Sequence, residues 1–394
     1  MDPAAEYLEI GVRSHGLGVF HKDAVSGAVL GSKSVYEVVP GCLVFNIVFA
    51  WEGAVAITRE CDRGRIASHR FPMLRARAER VDLEYLRLVL LTSRGRHWLR
   101  LASPGGAGRN RTLNMSELLD IQLSLPDVSA QRAVATVSLR LSSLESTCQR
   151  AIDSKRRLKQ ALLQQLLTGK LRARSHRTAW RSAKLGELGE FVRGVSYDAE
   201  TDMRSAADGD AVALLRAGNL QAGELRLDDV YFIDPRRCSP RQLLAPGDVA
   251  ICMSNGSRTL VGKASQIRSQ LDRPTTVGAF CTIFRPSPGV DHEFIRQVFA
   301  GSKYRAWIAR ALAGSAINNL RASVIESLEV DIPTSPDEER FVGNTLGLLD
   351  TELNLLDRQL AAVRKLKRGL MQKLLTGELE VPAAEEPKGD EVHA

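Results

Sequence analysis

Leu158-Lys-Gln-Ala-Leu-Leu-Gln-Gln-Leu-Leu-Thr-Gly-Lys-Leu171 returns 208 positions later as Leu366-Lys-Arg-Gly-Leu-Met-Gln-Lys-Leu-Leu-Thr-Gly-Glu-Leu379, with nine of fourteen residues identical and no gap. A period of about half the 394-residue chain reads as two copies of one unit. Solenoid repeats are far shorter, roughly 20–50 residues.

Each copy closes a long apolar stripe. In the first, Val134, Val137, Leu141, Leu144, Cys148, Ile152, Leu158, Leu162 and Leu166 fall mostly at three- and four-residue steps and stop at Gly169. The second runs Leu346, Leu349, Leu353, Leu356, Leu360, Val363, Leu366, Leu370, Leu374 and stops at Gly377. This spacing predicts two helices of about 40 residues, each roughly 55–60 Å long. The near-heptad leucines predict an antiparallel coiled coil between them, with Leu141, Leu144, Leu158, Leu162, Leu349, Leu353, Leu356, Leu360, Leu366 and Leu370 in the seam. Both helices start alike, Leu125-Pro126 before Gln131-Arg132 and Ile332-Pro333 before Glu339-Arg340. The prolines sit where they break no helical hydrogen bond.

Before each stripe lie short apolar runs broken by glycine and proline, the texture of strands with a few short helices such as Leu83–Thr92. The expected fold class is mixed α/β (α+β), with two pseudo-symmetric globular domains separated by the long helices. Segments are placed at 1–130, 131–172 (first long helix), 173–336, 337–379 (second long helix) and 380–394, an acidic tail expected to be disordered.

The composition, 44% hydrophobic and 25% charged with a mean hydropathy of −0.14, is that of a globular chain. No run approaches the ~18 apolar residues of a membrane span. The start shows no secretory signal pattern. Six scattered cysteines without a C-x-x-C pair suit free thiols, and the expected location is the cytoplasm. The net charge of +8 is uneven: Arg150–Arg177 carries nine Lys/Arg against Asp153 alone, and Arg358–Lys373 carries six with no acid. Such stretches suit a polyanion or, more blandly, a solvated helix face.

The doubled L-L-x-x-L-L-T-G-x-L ending, at Leu162–Leu171 and Leu370–Leu379 (with Met371), resembles the specificity subunit of Type I restriction–modification enzymes. So do the proline-then-Gln/Glu-Arg helix starts. So also does the opening of the second globule, with Trp180, Lys184-Leu-Gly-Glu-Leu188 and Gly194, then Leu214-Leu-Arg-Ala-Gly-Asn-Leu220, Pro246-Gly-Asp-Val249 and Val261-Gly-Lys263. The first globule offers Pro40-Gly-Cys-Leu-Val-Phe-Asn46 and Ala50-Trp-Glu-Gly-Ala54, with Cys42 where the second has Asp248, and lacks the Trp…Lys-Leu-Gly opening. This leaves either a shortened first domain or a start upstream of Met1. The resemblance implies two target-recognition domains reading a bipartite double-stranded DNA sequence across a helical spacer. It also implies two methyltransferase (modification) subunits as partners, restriction (helicase-nuclease) subunits recruited through them, and no membrane. S-adenosylmethionine, ATP and magnesium are then expected on the partner subunits and none in this chain.

Base-edge reading calls for Arg, Lys, Asn, Gln, Ser and Thr on short loops. In the first globule the candidates are Arg65, His69 and Arg70, with Arg109, Asn110 and Arg111 after a glycine run. In the second they are Arg216 with Asn219, the turn Ser254-Asn255-Gly256-Ser257-Arg258, and Asn318-Asn319 with Arg321. Only 5% of residues are aromatic, too few for a single-strand stacking platform, and Trp51, Trp98, Trp180 and Trp307 read as packing residues. No phosphate loop, dinucleotide fingerprint or zinc helix occurs, and neither does the Asn-Pro-Pro-aromatic tetrapeptide of amino-methyltransferases. Asp153-Ser154-Lys155 looks like a nuclease fragment but sits mid-helix without a second acid. No catalytic or metal site is therefore expected. The competing readings are a free-standing DNA-binding regulator and a non-catalytic interaction scaffold.

Overall fold

The computed structural model describes residues 2–381 apart from positions 78, 106–110, 173–178, 207, 222 and 314–317. Two long helices dominate it, Val128–Leu166 (39 residues) and Pro336–Thr376 (41 residues). The first starts where the Asp127 carboxylate accepts the Ala130 N–H at 2.8 Å. The second starts with Pro336 as its first residue, a position where a missing N–H costs nothing. Gly169 (φ +64°) and Gly377 (φ +77°) adopt the left-handed conformation beyond the helix ends, where a β-carbon would be strained. The first α-helix closes at Leu166, three residues before its glycine.

The chain forms two compact units, Met1–Cys148 with Gln359–Ala394, and Gln149–Arg358. The boundary falls inside both long helices, so each unit is a lobe together with part of each helix.

The first unit contains strands β1 (Glu6–Val12), β2 (Val19–Ser26), β3 (Val35–Glu37), β4 (Leu43–Phe45), β5 (Val55–Ile57), β6 (Ile66–Ser68) and β7 (Met73–Leu74). They form the sheets β2-β1-β6-β3 and β5-β4-β7. Strand β4 is buried on both faces, because alternate side chains of a strand point opposite ways. Val44 joins a core with Ile10, Ala56 and Ala67, while Leu43 and Phe45 join Leu90, Leu99 and Leu113 beneath the helices Leu83–Leu91 and Ser93–Leu101.

The second unit contains β8 (Trp180–Lys184), β9 (Gly189–Arg193), β10 (Val212–Leu215), β11 (Leu220–Gln221), β12 (Glu224–Leu225), β13 (Tyr231–Ile233), β14 (Val249–Cys252), β15 (Ala264–Gln266), β16 (Thr275–Val277), β17 (Cys281–Pro286) and β18 (Glu329–Pro333). Its sheets are β15-β14-β17-β9, β13-β10-β16, and the pairs β11-β12 and β18-β8. Here β14 plays the part of β4. Val249 and Ile251 face the core built on Phe284, Phe294 and Leu346, and Ala250 and Cys252 face the core of Leu215, Val277 and Ile283.

The two lobes share one plan. Each has an antiparallel triplet centred on a Pro-Gly strand, β5-β4-β7 and β15-β14-β17, in matching register: Leu43 opposes Leu74 as Val249 opposes Phe284. Each follows it with two consecutive helices whose first turn is capped by an aspartate, Asp82 to the Tyr85 N–H and Asp291 to the Phe294 N–H. The substitution of Cys42 for Asp248 has a local reason. Asp248 receives two hydrogen bonds from Arg285 and one from the Ala245 N–H. At the matching place Thr58 takes over, its hydroxyl donating to the Val39 carbonyl and accepting the Cys42 N–H. The missing opening motif also has a structural expression. In the second unit Trp180–Lys184 forms β8, which pairs with β18 just before the second long helix, whereas residues 121–127, between the helix Met115–Leu119 and the first long helix, form no strand.

The long helices run antiparallel, because partners descend along one as positions rise along the other. In the second unit Lys155 pairs with Glu352 and Lys159 with Asp350, and Arg172 beyond the helix end pairs with Glu338. In the first unit Glu145 pairs with Arg364 and Lys367. These pairs engage five of the fifteen basic residues in the two stretches that suggested a polyanion. Burial along the helices departs from the leucine pattern: Leu144, Leu158 and Leu366 are exposed, whereas Leu353 and Leu360 are buried and Ile152 is fully enclosed. The buried helix positions include some turned toward the lobes: Val134, Met371 and Leu374 pack with Tyr85, and Leu166 and Leu346 with Phe294. A strict seam repeat therefore misassigns side chains wherever the helix must also cover its own lobe. Glu380 is exposed, Val381 packs with the Tyr85 cluster, and the remainder of the acidic tail lies outside the described residues.

Candidate nucleic-acid interface

In the second unit the backbone gathers three separate segments around the end of β14. Met253 donates its N–H to the Phe280 carbonyl and accepts the Leu320 N–H, both at 2.8 Å. Ser254 bridges Asn319, and the Asn255 N–H reaches the Asn318 carbonyl. Two candidate groups read separately from the sequence, Ser254–Arg258 and Asn318–Arg321, thus form one surface. Their roles divide. Asn255 Oδ1 accepts the Ser257 N–H and Asn318 Nδ2 donates to the Gly256 carbonyl, so these two shape the turn. Ser257, Arg258, Asn319 and Arg321 stand exposed around it. Ser254 is half-buried in the bridge.

Sequence reasoning missed Phe280. Its side chain is 70% exposed while its carbonyl accepts the N–H of Met253 and of Ser254. An exposed phenylalanine among polar loops can contact a thymine methyl. The only hint in the sequence was its place in Gly278-Ala279-Phe280, between two buried strands.

The first unit repeats this arrangement. The Ile47 N–H bonds the Arg70 carbonyl at 3.1 Å, and the Ile47 carbonyl accepts the Leu113 N–H at 2.8 Å. Ile47 thus stands to Arg70 and Leu113 as Met253 stands to Phe280 and Leu320. His69 and Arg70 are exposed on this turn, and Arg65 is half-buried just before β6. Arg111 bridges Gly105, with its guanidinium 5.9 Å from the Trp51 ring centre. Arg109 and Asn110 lie outside the described residues.

Of the Arg216–Asn219 pair, Asn219 is corrected. Asn219 is only 4% exposed and its amide is consumed: Oδ1 accepts the Arg216 N–H, and Nδ2 donates to the carbonyls of Arg226 and Asp229. It builds a tight turn and is unavailable to a ligand. Arg216 lies over Tyr231, 3.5 Å from the ring centre, and reaches Asp229 at 3.3 Å. Its strand ends beside the same surface, because Leu215 accepts the N–H of Gly278, two residues before Phe280. Of the tryptophans, Trp51, Trp180 and Trp307 each donate an indole hydrogen bond while partly buried, as packing residues do.

What these elements define is a doubled α+β chain with equivalent loop sets on its two lobes and antiparallel long helices. Comparison with known proteins gives that arrangement a context. The chain is 27% identical over 196 residues to the Type I restriction enzyme StySPI specificity subunit of Salmonella potsdam, covering 50% of this chain and 42% of that protein. It is 27% identical over 198 residues to the EcoKI specificity subunit of Escherichia coli (strain K12), with the same coverage. Less than half of those relatives is thus matched. Its fold is similar to that of the Type-I restriction-modification system S subunit from M. genitalium, with a TM-score of 0.59 and 14% identity over 95% of this chain and 97% of that one. No protein-family model matches. The chain is therefore similar to Type I specificity subunits in sequence and in fold, as the helix endings suggested. Among the described residues no helix is long and apolar enough to cross a membrane.

Proposed function

We propose that this chain is the non-catalytic, DNA-reading specificity subunit of a Type I restriction–modification complex. Each lobe reads one part of a bipartite duplex target through the loops around Ile47 or Met253. The long helices fix the spacing and dock two modification subunits, which carry S-adenosylmethionine. Restriction subunits, with ATP and magnesium, join through them. The assembly works in the cytoplasm.

One observation carries this reading: two lobes present the same three-segment loop set at the same place in their fold, with different side chains on it. A duplicated scaffold with divergent tips is what reading two unlike half-sites requires. Arg, Asn and Ser on short loops match base-edge patterns, and exposed Lys and Arg hold phosphates.

The test is co-expression with a modification subunit, followed by mapping of methylated bases. A two-part methylated motif is expected, and replacing Ser257, Arg258 and Asn319 together should alter one part only. Sequence-specific binding by the isolated chain at full strength would instead mark a free-standing regulator, and no sequence preference in any assembly would mark a scaffold.

A further inference from the structure

The first unit brings His21 to the adjacent pair Cys61-Asp62, some forty positions further along the chain. His21 lies on β2, and Cys61 and Asp62 lie on the 3₁₀ turn Glu60–Asp62 that follows β5. His21 Nε2 stands 2.7 Å from Asp62 Oδ1, Cys61 Sγ stands 3.9 Å from the same oxygen, and the three atoms lie within 4.8 Å of one another. We infer that His21, Cys61 and Asp62 form a binding site for a single zinc-class divalent ion.

The chemistry fits on four counts. Imidazole nitrogen, thiolate and carboxylate oxygen are the three donor types zinc takes. A tetrahedral ion with bonds of about 2.0–2.3 Å needs donors about 3.3–3.6 Å apart, so closure requires shifts of no more than about 1.5 Å. Two of the three side chains are free to make them, since those of His21 and Cys61 reach the surface. The third is fixed. Asp62 has a side chain only 3% exposed, and its other oxygen accepts the Arg59 N–H at 2.8 Å, which holds Oδ1 toward the cluster.

The site also has room and a tolerable field. It opens into a cleft of about 390 Å³ lined by Gly18, Phe20, Ile57, Arg59, Glu84 and Arg87, leaving space for a water or anion as fourth ligand. Thiolate and carboxylate charges cancel those of the ion, so the filled centre is neutral beside Arg59, and Arg87 is already paired with Glu84. Binding displaces the Cys61 thiol proton and replaces the His21–Asp62 hydrogen bond.

Cobalt(II) reports the site directly, because a bound thiolate gives a charge-transfer band in the near ultraviolet. The full chain, freed of metal by chelation, is titrated with Co²⁺, and zinc is then added to displace it. One ion per chain is expected, with a thiolate band abolished by both Cys61→Ser and His21→Ala and unchanged by Cys148→Ser. Circular dichroism establishes that the variants are folded. Absence of the band in the parent chain overturns the inference. So does its survival in either cluster variant, or its loss in the Cys148 control.

Discussion

Gln131 Oε1 accepts the backbone N–H of Asp82 at 2.9 Å, pinning the first turn of the long helix to the cap of the helix that packs beside it. In the second unit Glu339 Oε2 accepts the N–H of Asp291 at 3.0 Å, the same joint made by a carboxylate. Both side chains are buried, so neither can exchange its partner for water.

Replacing Gln131 with alanine removes three hydrogen bonds at once, because its Nε2 also donates to the carbonyls of Arg80 and Pro126. Leaving such buried groups unmet costs about 2–4 kcal/mol in total, given 1–3 kcal/mol for each group left wholly unsatisfied and partial relaxation. Urea unfolding followed by circular dichroism should show the transition of the first unit moved to lower denaturant. An unmoved transition would mean that water fills the gap.

Glu339→Gln tests the joint by charge. Burial raises the Glu339 carboxyl above the ordinary glutamate value of 4.5, outweighing the hydrogen bond from the Asp291 N–H, which lowers it. A raised folded-state pKa contributes stability below the unfolded value and loses it as pH climbs through the folded one. The wild type should therefore lose ground relative to the glutamine variant as pH rises from about 4.5 toward neutrality. At pH 7 the variant should melt at the same temperature or higher. A variant that melts lower at every pH would show that the charge itself is needed.

Asp350 behaves oppositely. Burial pushes its carboxyl up, but hydrogen bonds from Gln297 and Lys159 and the charges of Arg296 and Lys159 more than offset this and hold it below the usual carboxylate range. Its stabilisation is present above the ordinary aspartate value of 3.8 and drains away as pH falls through the lower folded one. Asp350→Ala leaves Arg296, 8% exposed, with Glu293 alone, and should cost about 3 kcal/mol, the lower end for a broken buried pair. Arg63→Ala, which breaks a surface pair with Glu60, should leave the melting temperature where it is.

Arg258→Ala should weaken binding of the assembled complex to its cognate duplex by about 1–3 kcal/mol if the side chain meets a base. If it meets a phosphate, the loss should be similar for every sequence and the salt dependence shallower. Fluorescence anisotropy against cognate and half-substituted duplexes separates the two. Equal binding by variant and parent on both duplexes would remove Arg258 from the interface.

Much of the architecture was legible in the repeated helix endings. A leucine stripe is a local pattern, and Gly169 and Gly377 mark helix ends by a rule of backbone sterics. The face each leucine occupies was less legible, because a helix that meets both a partner helix and a lobe rotates its buried stripe along its length. That is why Leu158 is exposed and Ile152 enclosed. The loop residues were legible as types and not as neighbours: nothing local joins Ser254 to Asn319 or His21 to Cys61, since only strand pairing and turn closure bring them together. Asn219 was misassigned because a turn-forming amide and a ligand-reading amide have the same sequence signature, and only its hydrogen bonds distinguish them.

Because the first unit needs residues 359–376 to cover Tyr85 and Val134, its completion waits on chain made long after its own lobe. The second unit, drawn from one uninterrupted stretch, can finish earlier on the ribosome. A chain ending before position 359 lacks the helix segment that covers the apolar flank of the amino-terminal lobe.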